Sequence, residues 1–393
     1  MDPQKKKILE LVPAIRMILS GRSLKSGSLV LPEQLIEGDP DKIALHLGCS
    51  VPVYTGEAGE VLREIEGNGT AAGDYLYIEG AGLLGFSTSK SEVEQKLASV
   101  RRQRRGSDLP GPVSPPRFRN FLYNKVVAIT GGAMGFGQGI ARQLFAEGSN
   151  VVLMDINEQA GSSLAAELNT RRTPNRARFI KSDVSSLESM EQAVFETVLE
   201  FGGLDVMISN AGVLRAGSLE DLTEQDFDKV TLVNYRGYYN CVKAAAPVMK
   251  VQNRFSSANF GDIIQINSKS GLEGSRKNFA YAGSKFAGIG LTQSFAKELI
   301  DDRIKVNAIC PGNFFEGPLW SDPENGLFVQ YLNAGKVPGA KTIADVKRHY
   351  ESMVPSGRGC RVEDVVKAIK YVIEQEYETG QALPVTGGQV MLS

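Results

Sequence analysis

The chain is poor in the residues that bind metals. It has only two histidines, His46 and His349, and four scattered cysteines, Cys49, Cys241, Cys310 and Cys360, in 393 residues. No Cys-x-x-Cys or His-x-x-x-His spacing occurs, so no bound metal is expected. Thiols this sparse fit a reducing cytoplasm better than a disulfide-built secreted fold. An excess of charge of one sign is also missing. Lys and Arg number 44 and Asp and Glu 45, a formal net charge of −1, which argues against a nucleic-acid partner. The one basic cluster, Arg101-Arg102-Gln103-Arg104-Arg105, reads as a solvated helix end before a linker. No apolar run is long enough to span a bilayer, so no membrane partner is expected. Met1 to Lys7 is basic, but no continuous apolar core of sufficient length follows, so a signal peptide is not expected.

What is present divides the chain in two. A length of 393 residues is more than one ordinary α/β domain needs. Pro110, Pro112, Pro115 and Pro116 mark a linker reaching about Phe118. The expected organisation is a small, non-catalytic α+β domain over 1–110, a Pro-rich linker over 111–120 and a larger α/β domain over 121–393. In the first part, Ile8 to Ile18 has helical periodicity. Tyr75-Leu76-Tyr77-Ile78 and Leu83-Leu84-Gly85-Phe86 flank Glu79-Gly80-Ala81-Gly82 and read as a hairpin. A helix from about Ser91 to Arg104 follows.

The larger part opens on Val126-Val127-Ala128-Ile129-Thr130, an apolar, β-branched run that reads as a buried parallel strand. It runs into Gly131-Gly132-Ala133-Met134-Gly135-Phe136-Gly137-Gln138-Gly139. A helical pattern follows, with Ile140, Ala141, Leu144 and Phe145 on one face. Strand, glycine turn and helix together lay a pyrophosphate on a helix N-terminus. The next strand, Val151 to Met154, ends in Asp155. That carboxylate falls where it can accept hydrogen bonds from an adenosine ribose and repel a 2′-phosphate, favouring NAD over NADP. Its other reading is an N-cap for the helix from about Glu158.

Far downstream, Tyr281 and Lys285 sit four apart, on one face of a helix, with Ser268 thirteen residues before the tyrosine. A tyrosine hydroxyl is a poor base at neutral pH, its free pKa being about 10. An adjacent ammonium stabilises the phenolate. Bringing the phenol near 7 takes roughly three units, or about 4 kcal/mol, which one ammonium helped by a cofactor's positive charge in a partly dry site is expected to supply.

From about Tyr123 onward the sequence resembles the short-chain dehydrogenase/reductase family, with the matching pieces in the family's order. Thr130, Gly131, Gly135 and Gly137 fit its Thr-Gly-x-x-x-Gly-x-Gly turn, and Asn210-Ala211-Gly212 fits its Asn-Ala-Gly. Asp183 fits the acidic residue that holds the adenine, and Pro311-Gly312 the loop that approaches the nicotinamide. The resemblance implies a Rossmann-type doubly wound parallel sheet and a catalytic set of Asn234, Ser268, Tyr281 and Lys285. Tyr281 would be the general acid or base, Lys285 its electrostatic partner and a ribose ligand, and Ser268 a donor to the substrate oxygen. Asn234 would order a water linking Lys285 to solvent. The implied NAD contacts are Gly131, Gly135, Phe136, Gly137, Asp155, Asp183, Val184, Asn210, Ala211, Gly212, Tyr281, Lys285, Pro311 and Gly312. Two positions depart from the pattern. The Thr usual after Pro-Gly is absent from Asn313-Phe314-Phe315-Glu316, which leaves a backbone group or Asn313 to anchor the carboxamide. The usual Asp-Gly-Gly near the end is Thr386-Gly387-Gly388, a change in packing more than in chemistry.

The loop after Ser268 is polar and carries Lys269, Arg276 and Lys277. Cations among hydroxyl and amide side chains suit a phosphorylated polyol, although an ordinary solvated loop has the same composition. The segment after Pro311-Gly312, which the resemblance implies is mobile and borders the substrate, contains Trp320, Lys336, Lys341 and Lys347-Arg348-His349. Ile264 to Gly271, Gly274-Ser275-Arg276-Lys277-Asn278, Lys285-Phe286, Leu291 to Ser294, Arg358-Gly359-Cys360 and Val385 to Met391 resemble a subgroup that oxidises sorbitol 6-phosphate to fructose 6-phosphate with NAD. The same resemblance implies a homodimer or homotetramer. Two other readings remain open: a reductase of a non-phosphorylated carbonyl compound, and a catalytically silent NAD-binding sensor. Residues 1–110 faintly resemble the end of a class II sugar-phosphate aldolase domain, without that family's zinc-binding histidine cluster.

Overall fold

The computed structural model describes the chain except residues 1, 21–24, 32–33, 36–38, 48, 50, 69–73, 99, 101–119, 172, 257–258, 325, 334, 336 and 392–393. The basic cluster at 101–105, the prolines from 110 to 116, Lys336 and the His46 side chain lie outside the described residues.

The N-terminal part comprises α1 (Pro3–Ser20), β1 (Ser26–Val30), α2 (Pro40–Leu47), β2 (Val53–Tyr54), α3 (Ala58–Asn68), β3 (Tyr75–Ile78), β4 (Gly82–Ser87) and α4 (Lys90–Ala98). Its four-stranded sheet has the order β1-β4-β3-β2. The expected hairpin is β3 and β4, antiparallel with Ile78 opposite Gly82. Gly80 turns it at a φ of 75°, a left-handed value that glycine adopts without a Cβ penalty.

The second part comprises β5 (Val126–Thr130), α5 (Gly135–Ala146), β6 (Asn150–Asp155), α6 (Glu158–Asn169), β7 (Ala177–Lys181), α7 (Leu187–Phe201), β8 (Val206–Ser209), α8 (Glu224–Thr231), α9 (Gly237–Arg254), β9 (Gly261–Ile266), α10 (Phe279–Leu299), β10 (Ile304–Pro311), α11 (Pro318–Ser321), α12 (Leu327–Asn333), α13 (Ile343–Ser352), α14 (Val362–Glu374) and β11 (Ala382–Val385). A wide π-helical turn, Leu232–Arg236, joins α8 to α9. The sheet is seven-stranded, in the order β11-β10-β9-β8-β5-β6-β7. Every ladder in it is parallel. This is the expected Rossmann-type doubly wound sheet. Strand order reverses between β5 and β8, the place where such sheets hold ligands at their carboxyl ends.

Alternation along the strands separates two cores. Val127, Ile129, Val151 and Leu153 pack with α5, α6 and α14 on one face. Val126, Ala128, Val152 and Met154 face the other way, and their core continues into Ile8, Leu11, Ile15, Leu76, Leu84 and Phe86. The N-terminal part and the parallel sheet therefore share one apolar core.

Polar ties cross the same boundary. Arg16 of α1 and Asp205, just before β8, form a fully buried ion pair at 2.8 Å. The guanidinium also donates to Lys25 O. Asp205 in turn accepts the Val126 N–H at 2.7 Å. Burial raises the Asp205 pKa, but the charge and hydrogen bonds of Arg16, with Lys125 and Val126 N–H, hold it below the usual carboxylate range. Lys90 pairs with Glu200 at 3.1 Å and Arg176 with Glu94 at 2.9 Å. Gly27 of β1 lies against the end of α7, where an added Cβ would come within 3.3 Å of Gly202 Cα. Among the described residues, no helix is long and apolar enough to cross a membrane. No group of three or more His, Cys, Asp or Glu among them could hold a metal ion.

Candidate active site

The glycine turn between β5 and α5 is built from both sides. Gly131 and Gly135 take left-handed φ values of 60° and 57°. A Cβ on Gly137 would fall 2.0 Å from Gly131 O, so only glycine permits this closeness. The Asn210 amide, at the end of β8, donates to Thr130 O and Gly131 O at 3.0 and 3.1 Å. Thr130 Oγ1 accepts the N–H groups of Asn210 and Ala211. Thus Asn210 and Thr130 hold the turn itself. Met134, which precedes α5, makes no side-chain cap. The first N–H groups of this helix remain available to an anion, as a dinucleotide pyrophosphate requires.

Asp155 ends β6, with Oδ2 accepting Ala133 N–H at 3.0 Å and Oδ1 accepting Asn157 N–H at 2.9 Å. It is not the cap of α6. Asn157 is, accepting Ala160 N–H at 3.0 Å. Asp155 is left as a fixed carboxylate beside the glycine turn. Asp183 is exposed after β7, Val184 is buried beside it, and Asp183 Oδ1 accepts Ser185 N–H. These residues fit a nicotinamide dinucleotide: a turn that excludes Cβ atoms, an uncapped helix start, and carboxylates at the ends of β6 and β7.

The four expected catalytic residues converge at the carboxyl ends of β8, β9 and β10. Asn234 lies in the π-helical turn and is buried. Its amide accepts Val213 N–H at 2.8 Å and donates to Val213 O and to Ser284 Oγ. Ser284 donates to Tyr281 O at 2.7 Å. Ser268 follows β9, and its backbone N–H donates to Asn267 Oδ1. The Asn267 amide donates to Lys285 O at 2.9 Å and to Gln265 Oε1 at 2.7 Å. A buried Asn and a Ser that no motif singles out, Asn267 and Ser284, therefore fix Ser268 and the α10 helix. The signal for Asn267 was a polar residue ending a buried strand, which must find partners.

Lys285 is buried, donates to Ile266 O at 3.1 Å, and sits 5.5 Å from the centroid of the Tyr281 ring. Burial pulls its pKa down to about 8. The lowering of the Tyr281 pKa was expected from Lys285 together with a bound cofactor's positive charge; in the protein alone the phenol is raised. Burial pushes the phenol above 10, a hydrogen bond with Ser268 acts the other way, and the Cys310 thiol adds to the rise. The ammonium lies over the ring, and desolvation is the largest influence on the phenol. Burial pushes the Cys310 thiol itself up to about 12.

Pro311 ends β10, and Gly312 N–H donates to Val385 O. Asn313 N–H donates to Gln389 Oε1 at 3.4 Å. Thr386 binds the Val390 backbone through both its N–H and C=O, consistent with a packing role. The segment after Pro-Gly carries three short helices around an aromatic core of Phe315, Trp320, Phe328, Tyr331 and Tyr350. Its cations at Lys347 and Arg348 are paired with Glu351 and Asp345.

Lys269 lies in a short turn after Ser268, and Arg276 and Lys277 are exposed before α10. Lys277 has a left-handed φ of 57°, and its carbonyl accepts Gly217 N–H from the loop after β8. None of the three cations takes part in an ion pair among the described residues.

A dinucleotide turn at the switch point of a doubly wound sheet, facing a Ser, Tyr, Lys and Asn set, defines a nicotinamide-dependent oxidoreductase. The family model for short chain dehydrogenase matches residues 125–319. Sorbitol-6-phosphate 2-dehydrogenase of Escherichia coli K12 is 35% identical over 271 residues, 68% of this chain and 99% of that protein. A 3-oxoacyl-[acyl-carrier-protein] reductase of Chlamydia muridarum is 33% identical over 273 residues, 68% of this chain and 98% of its own length. The crystal structure of sorbitol-6-phosphate 2-dehydrogenase from Erwinia amylovora superposes with a TM-score of 0.62 at 33% identity, covering 68% of this chain and all of that one. The chain belongs to the short-chain dehydrogenase family. None of these relatives is an aldolase, and they leave the resemblance of residues 1–110 to an aldolase domain without support.

Proposed function

We propose that the chain is an NAD-dependent dehydrogenase that interconverts a polyol phosphate and a ketose phosphate, with sorbitol 6-phosphate and fructose 6-phosphate as the pair. The observation that carries this reading is the trio Lys269, Arg276 and Lys277, in no ion pair among the described residues, in the loop between Ser268 and Tyr281. Charge-assisted hydrogen bonds of about 1.5–3 kcal/mol each let two such cations supply much of a phosphate's affinity. The identity to sorbitol-6-phosphate 2-dehydrogenase supports the same substrate class. Asp155 supports NAD, because its carboxylate opposes a phosphate on the ribose.

The bound nicotinamide would accept the hydride in oxidation and donate it in reduction. The glycine turn and the start of α5 would hold its pyrophosphate, and Asp155 and Asp183 its adenosine end. Pro311 and Gly312 would flank its ring. Ser268 donates to the substrate oxygen and stabilises charge there as the C–H bond breaks. Tyr281 takes the hydroxyl proton in oxidation and returns it in reduction. Lys285 supplies the positive charge that favours the phenolate. Asn234, held by Val213 and Ser284, would order a water that links Lys285 to solvent. A homodimer or homotetramer belongs to the same reading, supported by exposed Tyr235, Tyr239, Phe279 and Phe286 on contacting helical segments.

The test is NADH formation from sorbitol 6-phosphate, other hexitol 6-phosphates and unphosphorylated sorbitol, with NADP in place of NAD as a parallel arm. Turnover confined to phosphorylated polyols with NAD supports the reading. Equal turnover of unphosphorylated polyols, or of an acyl thioester in the reverse direction, favours the reductase alternative. Binding of NAD without turnover of any substrate favours the sensor.

A further inference from the structure

The turn that follows β7 is tied mostly to itself. Ser182 N–H still follows the sheet, donating to Asp155 O at 3.0 Å. Beyond it, Asp183 N–H donates to Ser189 Oγ at 2.9 Å, Ser185 N–H to Asp183 Oδ1 at 2.9 Å and Ser186 N–H to Asp183 O at 3.1 Å. None of these three bonds reaches more than 6 residues along the chain. The side chain of Asn240, in α9, supplies a long-range tie: its Nδ2 donates to Val184 O at 2.7 Å, across 56 residues. A carbonyl can only accept, so the amide nitrogen must face Val184 and Oδ1 must face away. Asn240 is 1% exposed, and its Oδ1 is buried with no hydrogen-bond partner among the described residues. Ser182 Oγ, just before Asp183, is buried and unpartnered in the same way.

Packing alone does not ask for a polar side chain at position 240. Its neighbours on the helix, Tyr238, Cys241, Ala244 and Ala245, belong to the apolar core, and an apolar residue would bury there without an orphan oxygen. What Asn240 adds is a hold on Val184. Gly237, one turn earlier, brings the same helix close to that residue, since a Cβ on it would fall 2.9 Å from Val184 Cγ2. Val184 N–H enters no hydrogen bond among the described residues, and neither does Asp183 Oδ2 beside it. A free donor next to a free acceptor matches the ring nitrogen and the amino group on one edge of an adenine.

We propose that Asn240 is a positioning residue for the adenine end of the cofactor, holding Val184 so that its N–H and the Asp183 carboxylate meet one edge of the ring together. The inference rests on the dehydrogenase reading, in which Asp183 and Val184 take the adenosine. Asn240 is itself buried and acts through Val184. Asn234, in the π-helical turn before α9, is held instead by Val213 and Ser284. The start of this helix thus serves both ends of the dinucleotide, through different residues.

The experiment compares two dinucleotides by calorimetry on the full-length protein. One is NAD. The other is nicotinamide hypoxanthine dinucleotide, whose ring carries a carbonyl in place of the amino group and a hydrogen on the neighbouring nitrogen. The unaltered protein should bind NAD more tightly by about tenfold, because the analogue presents a donor to Val184 N–H and an acceptor to Asp183. Asn240→Leu should lower NAD affinity by about tenfold and leave that of the analogue within about threefold, so that the preference collapses. A general loosening of the fold would lower both affinities alike. Asn240→Ala removes the same bond without adding volume and should show the same collapse, which covers a misfolded Asn240→Leu. An undiminished preference for NAD in a folded variant overturns the proposal, as does an equal loss for both dinucleotides. Failure of both variants to fold makes Asn240 a structural residue and overturns it too. An unaltered protein that binds NAD and the analogue equally overturns this inference alone. Failure to bind either NAD or NADP overturns the dehydrogenase reading and this inference with it.

Discussion

At Lys285 the requirements of chemistry and of stability oppose each other. Burial lowers its pKa to about 8, whereas an unfolded lysine titrates near 10.4. Between those values the unfolded chain binds the extra proton, so stability rises with pH there, and the penalty is present in full below about pH 8. Lys285→Met should therefore abolish turnover and raise the unfolding free energy at neutral pH by roughly 1–3 kcal/mol, after the lost bond to Ile266 O is subtracted. The gain should shrink as the pH rises through about 8 towards 10, in urea unfolding curves at several pH values. A gain that is independent of pH would rule out desolvation of the ammonium as its source. The loop cations make the second prediction at this scale. Replacing Lys269, Arg276 or Lys277 by Ala should raise KM for the phosphorylated substrate by about tenfold for a direct contact. Steady-state rates identical in all three variants would make this an ordinary solvated loop. The candidate-site residues that the structure brings together, Asn234, Ser268, Tyr281 and Lys285, were legible through their spacing and the family resemblance. The desolvation of Tyr281 was not legible, since it depends on how the elements around α10 pack.

Among the elements, α1 and β8 are joined by the one contact that most resists removal. Arg16 and Asp205 are both fully buried, and Asp205 also holds the start of β5 through Val126 N–H. Arg16→Met leaves that carboxylate without a counter-ion and should cost about 3–5 kcal/mol. Asp205 has a depressed folded pKa, so its contribution is present above the unfolded value and is lost as pH falls through the folded one. The deficit of Arg16→Met should accordingly narrow below about pH 4. Unfolding free energies of both proteins at neutral and acid pH check this, and equal deficits at both would discount the ion pair. Elements with strong local signals were readable. Val126 to Thr130 and the hairpin from Tyr75 to Phe86 needed only pattern and glycine placement. The segment from α11 to α13 was not readable, because its apolar residues pack on one another across three short helices and no helix has a long periodic face. The Arg16 contact joins residues 189 apart, and nothing local marks it.

For the molecule as a whole, the N-terminal part and the parallel sheet are held by one core, although sequence suggested a Pro-rich boundary between them. Removing residues 1–119 would uncover the sheet face that Leu11, Ile15, Leu84 and Phe86 help to close. A chain starting at Asn120 should melt well below the full-length protein or change its assembly, while the arrangement around Tyr281 is local to β8, β9 and β10. Unchanged melting temperature and oligomeric state in that truncation would deny the shared core its role. The central claim is that the Tyr281 hydroxyl transfers the proton in NAD-linked oxidation of a polyol phosphate. Its most direct test is the initial rate of NADH formation from sorbitol 6-phosphate at saturating NAD, in the unaltered protein and in Tyr281→Phe. Turnover in the unaltered protein, with a loss of at least about 10²-fold in the variant and NAD affinity held, is the result predicted. A variant that keeps its rate within tenfold of the unaltered protein, or an unaltered protein that gives no NADH, would contradict it.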